Sequence, residues 1–133
     1  MSSSDSSWKI WENQKFVDEI SSICGADKVK IEEISEQLAI AKWKDDIGVG
    51  KGVLAGITGN PPDYSTIVNI ANRIISVLVT NQPRCLTVDA IGNHPKKFGF
   101  IPNDRDELCI YLEVLTKLNL IKKRDNCYYC TTP

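Results

Sequence analysis

The sequence is poor in the residues from which many functional classes are built. It holds one histidine and one methionine, and its charges nearly cancel, 16 Lys+Arg against 17 Asp+Glu for a formal net charge of −1. No apolar run approaches the roughly 18–20 residues a membrane span needs, so none is expected. The opening Met1-Ser2-Ser3-Ser4-Asp5-Ser6-Ser7 is polar, lacks the apolar stretch of a secretory signal, and reads as a loose leader over residues 1–7. Balanced charge excludes a polycation that grips nucleic acid by bulk attraction and leaves only local basic patches. His94 sits in the turn Asn93-His94-Pro95 with no neighbouring nucleophile and acid, and no carboxylate pair stands out by spacing, so catalysis is not expected. Five cysteines (Cys24, Cys85, Cys109, Cys127, Cys130) make an odd number with no evident disulfide framework. That usage fits a reducing compartment: cytoplasm, or nucleus in a eukaryote.

What is present is the composition of a folded domain. The 133 residues are 42% hydrophobic and 25% charged, enough for one core of ordinary size. Phe16, Val17, Ile20 and Ile23 form a helical stripe within residues 8–24, which Gly25 ends. Ile31, Ile34, Leu38 and Ala41 form a second stripe within 31–43, with Glu32 and Glu33 placed in the first turn where the helix dipole favours acids. Residues 8–43 are thus an N-terminal helical subdomain, and its helices are expected to pad the core. Residues 44–63 carry five glycines and Pro61-Pro62 and read as a connector.

A third helix, capped by Asp63 or Ser65 and running to about residue 80, is apolar on two adjoining stripes and is expected to pack on more than one side. Leu86-Thr87 then reads as a short strand leading into a short helix capped by Thr87. Asn103 or Asp104 caps a stronger helix to about residue 118, with Asn119 as its left-handed terminal residue. Leu120-Ile121-Lys122-Lys123-Arg124 and Cys127-Tyr128-Tyr129-Cys130-Thr131, joined by Asp125-Asn126, read as a hairpin. The expected class is mainly α within α+β.

The order helix, short helix, longer helix, hairpin over residues 64–133 resembles a winged helix-turn-helix, here with extra N-terminal helices. Tyr111-Leu112-Glu113-Val114-Leu115-Thr116-Lys117-Leu118-Asn119-Leu120-Ile121 is similar to that family's passage from third helix into wing. Residues 65–133 also look like the winged-helix dimerisation domain that precedes the catalytic domain in small-molecule O-methyltransferases. The matching stretches are 67–79, 86–91, the leucine-rich third helix and the end Tyr128-Tyr129-Cys130-Thr131-Thr132-Pro133. The resemblance implies subunit contacts rather than catalysis. Winged helices bind DNA, RNA and proteins, so the fold leaves the partner open.

Helical-wheel arithmetic on the stronger helix sends Leu108, Tyr111, Leu112, Leu115 and Leu118 inward and Asp106, Ile110, Glu113 and Lys117 outward. An acidic outward face with an aliphatic centre suits a protein partner better than phosphates and base edges. The expected function is therefore a non-catalytic module that contacts itself or another protein, most simply as a dimer. One alternative is a regulator that holds duplex DNA through the wing (Lys122, Lys123, Arg124) and Lys96-Lys97. Another is the detached lid or dimerisation part of a methyltransferase. Asp46-Ile47-Gly48-Val49-Gly50-Lys51-Gly52 matches the D-x-G-x-G-x-G loop of S-adenosylmethionine enzymes, but no apolar strand precedes it. Asp46, Gly48, Gly50 and Gly52 are therefore weak cofactor candidates, and no cofactor is expected. Cys127 and Cys130 are weak candidates for half a zinc site, with buried thiols as the plainer account. Trp8, Trp11 and Trp43 lie outside the winged-helix segment and serve either as core or as aromatic anchors for a partner.

Overall fold

Helix boundaries in the computed structural model, which describes residues 14–48, 62–94, 101–102 and 104–130, follow from local stop and start chemistry. Helix α1 (Gln14–Cys24) buries Phe16, Val17, Ile20 and Cys24 on one stripe. It ends where Gly25 turns left-handed at φ 67°, a conformation that costs glycine little. Helix α2 (Lys28–Trp43) starts earlier than its apolar stripe suggests. Asp27 stands outside the helix and accepts the Val29 N–H at 2.9 Å, so Glu32 and Glu33 lie beyond the first turn. Helix α3 (Pro62–Thr80) begins at proline, the residue best suited to a first helical position, and runs for five turns.

Strand β1 (Leu86–Thr87) leads directly into α4 (Val88–Gly92), whose cap is the Thr87 hydroxyl accepting from Ala90 N–H. Helix α5 (Arg105–Lys117) is capped by Asp104, which accepts from the Asp106 N–H at 2.9 Å. Asn119 follows it at φ 64°, the left-handed residue expected there. Strands β2 (Lys122–Arg124) and β3 (Cys127–Tyr129) form a hairpin whose turn residue Asp125 is also left-handed. The three strands make one antiparallel sheet in the order β1-β3-β2, with Leu86 opposite Tyr128 and Lys123 opposite the same residue from the other side.

The protein is thus mainly helical with a small antiparallel sheet. A single hydrophobic core draws on all five helices and on β3. The N-terminal helices belong to it: α2 packs on α1, α3 and α5, and α1 packs on α5. The leader and most of the glycine-rich connector lie outside the described residues.

Two disulfides cross-link this arrangement, Cys24 to Cys109 and Cys85 to Cys127, with Cα–Cα separations of 5.6 and 5.3 Å. Both separations are ordinary for a bridge. The reading of five unpaired thiols is therefore corrected. The pairs are 85 and 42 residues apart in sequence, and only the packing of α1 on α5 and of β1 on β3 brings them together. Cys130 is the free thiol, and burial raises its pKa.

Candidate functional site

The face of α5 expected to look outward is closed off by the chain itself. Ile110 is 1% exposed and Glu113 3%, so neither is a surface residue, contrary to the helical-wheel expectation. The wheel assumed one core on one side of the helix. In the structure α1 and α2 supply apolar cover on the other side, and every residue of α5 from Leu108 to Val114 and Leu115 is buried. The signal was present in the sequence: Leu108-Cys109-Ile110-Tyr111-Leu112-Glu113-Val114-Leu115 holds one polar residue in eight, and a helix apolar all round is packed all round.

Three links hold this cover down. Cys24 of α1 is bridged to Cys109, Lys117 donates to Glu19 of α1 at 2.9 Å, and Lys30 of α2 lies 3.6 Å from Glu107. The Lys117 bond holds the Glu19 carboxyl below the usual carboxylate range. Both charged pairs are solvent-exposed and contribute little to stability. Asp106 remains exposed at the start of the helix.

Glu113 points toward the sheet. Its Oε2 accepts from the Tyr128 hydroxyl and from Lys123 Nζ, the latter at 2.7 Å. Burial, and then the bond to Glu113, push the Tyr128 phenol far above its ordinary pKa. A buried carboxylate is tolerable here because both donors are charged or strongly polar.

This pairing also bears on the basic hairpin strand β2. Lys123 is tied to Glu113, Arg124 lies 5.4 Å from the centre of the Tyr129 ring, and Lys122 is exposed. Lys96 and Lys97 lie outside the described residues.

The glycine-rich loop is described only as far as Gly48. Asp46 is engaged within the chain: its carboxylate accepts the Tyr64 hydroxyl, and its carbonyl accepts from Asn72 Nδ2 at 3.1 Å. Asn72, itself buried, returns the bond by accepting the Gly48 N–H at 3.1 Å. Burial, followed by the Asp46 bond, raises the Tyr64 pKa. The segment is pinned to α3 and preceded by helix α2, where the cofactor pattern needs a strand. The cofactor candidacy of Asp46 and Gly48 is therefore corrected, and Gly50 and Gly52 lie outside the described residues.

The zinc candidacy is corrected as well. The Cys127 sulfur is bonded to Cys85, and the buried Cys130 thiol lies 3.9 Å from the Leu120 carbonyl oxygen. No cluster of three or more metal-ligating side chains occurs among the described residues. His94 is half-buried and accepts, through Nε2, a bond from Asn81 Nδ2 at 2.9 Å, which makes it part of the α3–α4 junction.

No family model, curated protein or solved structure matches this chain.

Two surface features stand out. Val29 and Trp43 on α2 are each 70% exposed, large apolar side chains in water. They are fourteen residues apart, which at about 100° per residue puts them within about 40° of one another on the helix. Trp8 and Trp11 lie outside the described residues. The second feature is a cleft of about 390 Å³ between the end of α1, the start of α4, α5 and the hairpin turn. Sequence reasoning missed it because its walls, Ile23, Thr87, Arg105, Lys123 and Asn126 among them, come from five separate segments. Among the described residues no helix is long and apolar enough to cross a membrane.

Proposed function

We propose that this chain is a non-catalytic winged-helix module that acts through protein–protein contact, with a second copy of itself as partner. The succession α3, β1, α4, α5, β2, β3 and the sheet order β1-β3-β2 support the winged-helix reading. The observation that carries the functional reading is the state of α5. The helix that would enter the major groove in a DNA-binding member of the fold is covered by α1 and α2 and bridged to α1.

That closure removes the α5 face as the contact surface and moves the proposal to α2. Val29 and Trp43 lie on one side of it, with Glu32 and Glu36 between them in sequence. Exposed tryptophan is the side chain most enriched among residues that dominate interface energies. The test is sedimentation over a range of concentrations. Self-association of the wild type, weakened in Trp43→Glu with the helical circular dichroism unchanged, is expected. A wild type that stays monomeric overturns the reading.

A second reading, duplex DNA held by the wing, rests on one feature: every residue of β2 (Lys122–Arg124) is exposed. It is the weaker one, because Lys123 is already neutralised by Glu113. Its mark is affinity that falls steeply with salt and falls further in Lys122→Ala/Arg124→Ala. The methyltransferase reading keeps only the family resemblance, now that Asp46 is engaged with Tyr64. The two disulfides support an oxidising compartment rather than the reducing cytoplasm that the odd cysteine count suggested.

A further inference from the structure

The cleft beside the hairpin takes no part in the interaction reading and has a chemistry of its own. Its apolar side is made by Ile23, which is 47% exposed, together with Val88 and the Tyr128 ring. Its polar side is made by Arg105, Lys123, Asn126 and Thr87, with Asp89 at one edge.

The polar groups are incompletely used. Arg105 bonds Asp89 Oδ1 through Nε alone at 2.9 Å, and its two terminal nitrogens have no protein partner among the described residues. The Asn126 side-chain amide likewise has none among them. Lys123 spends one of its three donors on Glu113. Arg105 lines the cleft together with Lys123 and Asn126.

We propose that this cleft binds a small organic monocarboxylate with a flat apolar body. The planar fork of an arginine matches a carboxylate through two parallel bonds. Two cations and one acid line the space, a single net positive charge at the walls that Glu113 behind Lys123 offsets, so a singly charged ligand is favoured over a multiply charged one. A volume of about 390 Å³ lies at the small end of ligand pockets and suits a single ring with a short substituent. The Asp89–Arg105 pair is the gate. Both side chains are about two-thirds exposed, so the pair is weak and gives way at little cost when a carboxylate arrives. A smaller hollow of about 140 Å³ shares Asp89 and Arg105 with the cleft and is otherwise lined by Gly92, Asn93, Pro102 and Leu108 among others.

The test is a titration of the oxidised protein followed by amide chemical shifts, with benzoate as probe, benzamide as its neutral counterpart and inorganic phosphate as a bare anion. Benzoate is expected to move the Thr87, Val88, Arg105 and Asn126 amides saturably, in the low-millimolar range suited to so small a ligand. Benzamide and phosphate are expected to leave them in place. Arg105→Gln should weaken benzoate by about tenfold or more, and Asp89→Asn, which removes the internal competitor for Arg105, should tighten it severalfold. Both substitutions fall on exposed side chains and leave the core intact. Equal shifts from benzoate and benzamide, equal shifts from phosphate, unchanged affinity in Arg105→Gln or weakened affinity in Asp89→Asn each overturn the proposal.

Discussion

Replacing Glu113 by alanine separates the two orientations of α5 cleanly. On an outward face the change would be neutral or slightly stabilising, since alanine is the better helix former. In the structure Glu113 is 3% exposed and takes two donors on one oxygen. Its loss leaves the Tyr128 hydroxyl, on a side chain only 2% exposed, without its acceptor, which costs about 1–3 kcal/mol. Lys123 suffers less. Its side chain is 29% exposed and can turn its ammonium to water, so its share stays below about 1 kcal/mol. Loss of the buried methylene stem adds about 1 kcal/mol. The sum, about 2–5 kcal/mol, corresponds to a melting point lowered on the order of 10 °C for a chain of this size. Urea denaturation at neutral pH, with both bridges kept oxidised, measures it. Glu113→Gln keeps an acceptor for Tyr128 and should lose about half as much. A cycle with Tyr128→Phe should give a coupling energy of about 1 kcal/mol. A Glu113→Ala protein as stable as the wild type, with the same denaturant slope, refutes the placement of α5.

The bridges predict that the oxidised protein weighs four hydrogens less than the reduced one and that native alkylation spares all five cysteines, with Cys130 protected by burial. In the chain-entropy account, loops of 85 and 42 residues are worth about 4.6 and 4.0 kcal/mol, so each paired Cys→Ser variant should lose a large part of that, read from denaturation midpoints. Tyr111 and Tyr128 have folded-state pKa values raised above the ordinary 10.0, first by burial in each case. Their contribution is complete below pH 10 and declines above it, because only the unfolded chain then loses the protons. Tyr64 is raised in the same way, so with three such phenols stability should fall by roughly 4 kcal/mol per pH unit once the pH is well above 10, and phenolate absorbance should rise together with unfolding. A fall between pH 7 and 9 instead would point elsewhere. Ser35 is fully buried and its hydroxyl has no hydrogen-bond partner among the described residues, so Ser35→Ala should stabilise the protein by about 1 kcal/mol in thermal melts.

Much of the local structure was legible along the chain because short-range chemistry decides it. Gly25 ends α1, Thr87 caps α4, Asp104 caps α5 and Asn119 turns left-handed after it, each through a backbone preference or a bond reaching two or three residues. The hairpin at Asp125-Asn126 and the two-sided apolar helix α3 followed in the same way. What failed was the orientation of α5 and the state of the cysteines, and both failed for one reason. A helical wheel shows which residues share a face, but not how many neighbours the helix has. Ile110 and Glu113 are inside because α1 and α2, far back along the chain, and the hairpin that bonds Glu113 close around α5, and the packing of α1 on α5 also brings Cys24 to Cys109. The cleft, assembled from five segments, likewise exists only after packing. Residue order alone determined the caps, turns and succession of elements, since those depend on chemistry within a turn or two. Which faces meet, which thiols pair and where a carboxylate is buried are long-range matters, decided only when the helices close around one core.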